Sequence, residues 1–135
     1  MYVCRITKSI KGVYEMNIKN QLYTFKATCT NVVDGDTIDI DIDLGFETFA
    51  KRRVRLLNVD TPERGQENYS KATNFTKQCV ENKKIYVQTY KDDAFGRYLA
   101  NVFYDTGNEI RSLNDDLHIN QLIKPNSKWN ESDER

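Results

Sequence analysis

Three short stretches of the chain bring together side chains able to do chemistry. They are Val33-Asp34-Gly35-Asp36-Thr37, Arg55-Leu56-Leu57-Asn58-Val59-Asp60-Thr61-Pro62-Glu63 and Phe95-Gly96-Arg97. Taken singly, each has a plain structural explanation. Asp-Gly is a hairpin turn, Asp-Thr-Pro-Glu a strand exit before a helix, and Gly-Arg a turn followed by a solvated edge residue. Taken together they supply what hydrolysis of a phosphodiester needs: an activated water, a proton acceptor, and positive charge where the phosphate gathers negative charge. Asp36 and Asp60, with the Thr61 carbonyl, offer hard oxygen ligands suited to Ca²⁺ or Mg²⁺. Glu63, beyond the proline, can reach a water beside the metal as general base. Arg55 and Arg97 present planar forks that match two phosphate oxygens. One spacing is awkward, because residues 55 and 60 would fall on opposite faces of a straight strand. A bend between them, or a strand that ends before Asp60, is required.

The elements that must position these residues are legible as periodicities. Tyr23 to Val33 alternates as a half-buried strand and ends in Asp34-Gly35. Ile38, Ile40, Ile42 and Leu44 form the apolar face of the next strand, and Arg53 to Val59 a third, completing an antiparallel meander. Between Glu67 and Asn82 the period becomes helical, with Tyr69, Ala72, Phe75, Thr76, Cys79 and Val80 on one face. Strands follow at Ile85 to Tyr90 and Arg97 to Tyr104. A second helix is capped by Ser112, with Leu113, Leu117 and Leu122 inward. Strands, helix, strands, helix is the pattern of an α+β, mainly β protein. A five-stranded barrel with two to three helices is the economical solution.

With 135 residues, the chain is long enough for one core. The expected division is an N-terminal extension over residues 1–22, possessing an added hairpin or edge strand, a domain over 23–124, and a polar C-terminal tail over 125–135. The 20 basic and 20 acidic side chains balance, which argues against a passive coat for nucleic acid but not against an enzyme touching a few phosphates. Three cysteines without close pairing suggest free thiols, and the single histidine, His118, excludes any mechanism needing two. No run of residues is long and apolar enough for a membrane helix. The opening residues have no secretory pattern, so a cytoplasmic protein is expected if Met1 is the native start, and a secreted one if a signal peptide has been removed. Lys51-Arg52-Arg53 reads as a solvated strand edge ahead of a phosphate-steering patch. Tyr98 reads as packing ahead of base stacking.

Asp-Gly-Asp-Thr, Arg-Leu-Leu-x-Val-Asp-Thr-Pro-Glu and Phe-Gly-Arg, in this order around an amphipathic helix, resemble the staphylococcal nuclease (thermonuclease) family from about Ala27 to Lys124. The resemblance implies an OB-fold barrel and a Ca²⁺-dependent endonuclease of DNA and RNA that leaves 3′-phosphate ends, with Ca²⁺ ahead of Mg²⁺ or Mn²⁺; a monomer is expected. It implies Asp36, Asp60 and Thr61 as metal ligands, Glu63 as base, and Arg55 and Arg97 as phosphate contacts. Single strands are the expected substrate, since a shallow barrel groove suits splayed nucleotides. The chain departs from the family's best-known member in a short Arg64–Asn68 connection, in Ala94 where that enzyme has lysine, and in a reduced C-terminal helix. The alternative is an OB-fold module with weak or no catalysis that binds nucleic acid or protein.

Overall fold

The structure is a computed structural model that describes residues 21–90, 97–125 and 127–130. The expectation for residues 1–20, and the Phe95-Gly96 part of the third motif, therefore lie outside the described residues. Six strands run in the order β3-β2-β1-β4-β5-β6, with β3 also pairing to β5. They are β1 (Thr24–Asp34), β2 (Thr37–Asp43), β3 (Phe49–Leu56), β4 (Lys84–Tyr90), β5 (Tyr98–Asp105) and β6 (Ile110–Ser112). The first five close into the expected barrel, and β6 is a short addition on the outer edge of β5. The closing β3–β5 pair is parallel while every other pair is antiparallel. Five strands that alternate in direction around a ring must meet once in the same direction.

Strand β1 makes this closure possible. Its first half pairs with β4 and its second half with β2, and Ala27 and Thr28 take part in both ladders. Register irregularities after Cys29 and after Val32 add twist that bends the strand. The alternation expected in β2 holds for Ile38, Ile40 and Ile42, all inside the barrel, but not for Leu44, which is exposed. The strand ends at Asp43, whose carboxylate accepts a bond from Gly45 N–H in the turn, so Leu44 has left the pleat. The third strand also differs from expectation. It starts earlier, at Phe49, and stops at Leu56 rather than Val59.

Helix α1 (Tyr69–Val80) lies on β1 and buries Ala72, Thr73, Thr76 and Val80. Helix α2 (Leu113–Ile119) lies on β5, and its Ser112 hydroxyl accepts the Asp115 N–H as the cap the sequence predicts. The apolar core joins β-strand residues such as Ile38, Ile40, Leu56, Ile85 and Val87 to Leu113 and Leu117. Each such side chain contributes roughly 1.5–3 kcal/mol by leaving water. Cys29 and Cys79 are free thiols; burial pushes the Cys29 thiol up to about 11 and also raises that of Cys79, so both sit protonated as packing groups. Among the described residues no helix is long and apolar enough to cross a membrane.

Candidate active site

The turn between β1 and β2 is the first wall of the site. Gly35 is required there for space and not for an unusual backbone angle. A Cβ on it would meet Ala72 Cβ and Thr61 Cγ2, both at 3.0 Å. Helix α1 clamps the turn from above, with the buried Thr76 hydroxyl donating to Gly35 O at 2.8 Å and Tyr69 OH to Asp34 Oδ1 at 2.6 Å. Asp36 follows, its carbonyl accepting Leu56 N–H at 2.8 Å from the end of β3. Its carboxylate accepts the Thr37 hydroxyl at 2.9 Å and Thr61 N–H at 3.1 Å.

The second wall resolves the awkward spacing of Arg55 and Asp60. After Leu56 the chain leaves the sheet, and Asn58 adopts a left-handed conformation, φ 58°, which Asn tolerates better than most residues. The reversal is held by two polar residues one turn apart on α2. Asn114 donates to Leu57 O at 2.9 Å and to Ala100 O at 3.2 Å, and accepts Val102 N–H at 3.0 Å. His118 Nε2 bonds Asn58 O at 2.8 Å. Asp60 thus emerges on the same side as Arg55.

The C-terminal segment completes this wall. Asn130 accepts Asp60 N–H at 2.6 Å and donates to Asp60 O at 3.2 Å and to Lys124 O at 3.0 Å. Ser127 donates its hydroxyl to Asp60 Oδ2 at 2.6 Å. The Trp129 ring lies against both arginines, 5.2 Å from the Arg55 guanidinium carbon and 5.8 Å from that of Arg97. These distances suit cation–π contacts. Sequence reasoning assigned no role to Ser127, Asn130 or Asn114.

The two walls meet at one atom. Arg55 Nη2 lies 3.1 Å from Asp60 Oδ1 and 3.5 Å from Asp36 Oδ2. The result is a pocket of about 410 Å³, lined by Asp36, Arg55, Asp60, Thr61, Glu63 and Arg97 with their neighbours. All six residues singled out in the sequence therefore line one cavity. Glu63 is the most exposed of the acids, with its carboxylate 3.2 Å from Lys124 Nζ and its N–H held by Gln66 Oε1 at 2.7 Å. Arg64 also lines the pocket and was not foreseen.

Two features bear on what the pocket can hold. Arg55 answers one of the two negative charges that converge on it, which leaves a net negative, oxygen-only corner beside the Thr61 main chain. Such donors fit a hard divalent cation that keeps several waters. No group of three or more His, Cys, Asp or Glu side chains among the described residues is arranged around a metal. Any cation here would rest on Asp36, Asp60 and a main-chain carbonyl. The second feature is Arg55 Nε, buried with no acceptor among the described residues. A buried, charged donor without a partner is costly, and an anionic ligand oxygen would relieve that cost.

Comparison with known proteins fits this geometry. The family model described as staphylococcal nuclease homologue matches residues 53–121. The thermonuclease of Staphylococcus intermedius is 34% identical over 122 residues, covering 84% of this chain and 67% of that protein. A protein of Escherichia coli described as an uncharacterized endonuclease is 28% identical over 99 residues, covering 73% of this chain and 56% of its own. The micrococcal nuclease of Shigella flexneri is 32% identical over 79 residues, covering 58% and 42%. The chain belongs to the staphylococcal nuclease homologue family. It spans only 56% of the length of the Escherichia coli relative.

Proposed function

We propose that the chain is a Ca²⁺-dependent nuclease that hydrolyses phosphodiester bonds in single-stranded DNA and RNA, leaving 3′-phosphate ends. The observation that carries this reading is the convergence of Asp36 and Asp60 on Arg55 Nη2, in a pocket that Glu63 and Arg97 also line. Asp36, Asp60 and the Thr61 carbonyl would hold the cation. When bound, it supplies positive charge to the phosphate and acidifies a water.

The remaining roles belong to the chain itself. Glu63 accepts the proton of the attacking water. Its tether to Lys124 is a surface ion pair, worth about 0–1 kcal/mol, so the carboxylate can swing into the pocket. Arg55 turns its unpaired Nε toward the phosphate while Nη2 stays anchored to the two aspartates. Arg97, the residue before β5, meets the phosphate, and Trp129 fixes the spacing of the two guanidinium groups. Both arginines are poised where charge grows in the transition state, so their effect falls on turnover more than on binding.

Cleavage of labelled single-stranded DNA in Ca²⁺ and in chelator, with Glu63→Gln alongside, tests this. Ca²⁺-dependent cutting that the mutant loses is the expected result. A folded protein that cuts nothing in any divalent cation would overturn it, and the fold would then serve as a binding module. Calorimetric titration of Ca²⁺ into the parent and into Asp60→Ala checks the ligand set separately. Equal affinity in both would remove Asp60 from it.

A further inference from the structure

A second groove, of about 360 Å³, lies beside the catalytic pocket and shares Thr37, Arg55 and Arg97 with it. Its other walls are Lys51, Arg52, Arg53, Val54 and Tyr98. The two cavities differ in charge. The catalytic pocket is lined by four acids, Asp34, Asp36, Asp60 and Glu63, whereas among the described residues no carboxylate lines the second groove. Arg53 is committed to Asp39 at 2.7 Å, which leaves Lys51 and Arg52 as the basic groups that the catalytic site does not use.

Tyr98 gives this groove a flat surface as well as charge. It is 52% exposed, at the start of β5 where that strand pairs with Val54 of β3. A strand tyrosine used for packing would be covered. The Arg52 guanidinium carbon stands 6.0 Å from the ring centroid, at the outer limit of a cation–π contact. Arg52 and Arg55, three residues apart on β3, both line this groove.

From the continuity of the two cavities, their opposite charge and the uncovered ring, we propose that this groove is a subsite for the single strand flanking the scissile phosphate. Tyr98 stacks on a nucleobase and Arg52 pairs with the adjoining phosphate. The inference rests on the nuclease reading for which nucleotide is cut, but its own content is binding. A stack on an aromatic ring is sequence-tolerant because every base has a π-face, so the subsite sets substrate length and strandedness, not sequence.

The test separates binding from cutting. Binding of a labelled single strand of about 12 nucleotides is followed by fluorescence anisotropy in chelator, where no cleavage occurs. Cleavage of the same strand and of a dinucleotide is then compared in Ca²⁺. Tyr98→Ala should weaken binding about 5- to 160-fold, the range set by base–aromatic stacking, and Tyr98→Phe should restore it. Arg52→Ala should reduce the dependence of log affinity on log salt by about one unit. The advantage in kcat/KM of the long strand over the dinucleotide should shrink in both alanine variants. Tyr86→Ala, an exposed aromatic on β4 away from either cavity, is the control.

Parent-like binding and parent-like length dependence in Tyr98→Ala would overturn the subsite while leaving the nuclease reading intact. Loss in Arg52→Ala without loss in Tyr98→Ala would overturn it too, because the groove would then be a polyanion site that an acidic protein segment fills equally well. A parent that cuts nothing, yet binds the strand with both dependences, would support the subsite and reject the nuclease reading.

Discussion

The two aspartates that meet at Arg55 are held in opposite ways. Asp36 sits in the turn that joins β1 to β2. Its carbonyl bonds β3, and the residues that grip its carboxylate, Thr37 and Thr61, lie in the same two motifs. Asp60 has already left the sheet, and every polar atom it has is held by a side chain or by a segment outside the barrel strands. Ser127, Asn130 and Lys124 supply those bonds from 67, 70 and 64 positions away in the chain, apart from Arg55 itself. One aspartate is therefore fixed when the barrel forms. The other is fixed only when α2 and the C-terminal turn dock. The half of the site most open to tuning is the Asp60 half.

Arg55 links the two halves, so its replacement should have the largest effect. Arg55→Ala removes the proposed transition-state contact and leaves two carboxylates facing each other without a guanidinium between them. A fall of about 10²–10³-fold in single-turnover cleavage is expected. Arg55→Lys should restore little, since an ammonium cannot present Nη2 to both aspartates and Nε to the phosphate together. Recovery to near the parent rate in the lysine variant would mean that charge alone, and not the fork, joins the halves.

Two substitutions of similar expected cost then separate the halves. Gly35→Ala forces the turn against Ala72 and Thr61 on the Asp36 side and should cost about 1–3 kcal/mol by overpacking. Asn114→Ala strands Leu57 O and Val102 N on the Asp60 side and should cost about 1–3 kcal/mol through unpaired buried groups. Denaturant unfolding followed through Trp129 fluorescence measures both. The C-terminal turn is the sharper probe. Asn130→Ala should weaken Ca²⁺ binding several-fold in calorimetry while costing only about 1 kcal/mol of stability. If Asn130→Ala instead unfolds the protein as badly as Gly35→Ala does, the two halves are one cooperative unit and the contrast drawn between them fails.

This division also explains what could be read in the sequence. Barrel, helices and the Ser112 cap follow from periodicity and local propensity, which act over a few residues. The three motifs carry Asp36, Arg55, Asp60, Thr61, Glu63 and Arg97, whose residue types are those the chemistry requires. Nothing local marks Asn114, Ser127 or Asn130, because their partners are main-chain groups distant in sequence, and a main-chain group leaves no trace in residue type. A spacing of four between Asn114 and His118, on a face otherwise apolar, was the available hint. Likewise Gly35 looks like an ordinary turn glycine, and only the approach of α1 shows that its lack of a Cβ is the point. Leu44 and the end of β3 were misplaced for the related reason that alternation persists in sequence after the ladder has stopped.

The smallest effect is expected from acid, acting on the helix that supports Asp60. Arg111 holds the Asp116 carboxyl of α2 below the usual carboxylate range, through a bond of 2.5 Å and a second of 2.9 Å, against the opposing cost of burial. Tyr104 OH donates to the same carboxylate. Because the folded value is depressed, Asp116 contributes stability that is fully present above its unfolded value, about 3.9, and is lost as pH falls through the folded one. The denaturant midpoint should therefore fall between about pH 5 and pH 3 in the parent, and fall less steeply in Asp116→Asn, which has no charge to lose. Hydrogen exchange at the low end of that range should show α2 opening before the β1–β2 turn, because α2 bears Asp116 and also carries Asn114 and His118 to the Asp60 wall. Simultaneous opening of both would mean that acid attacks the barrel as a whole, and that the Asp36 half draws its rigidity from the same helix.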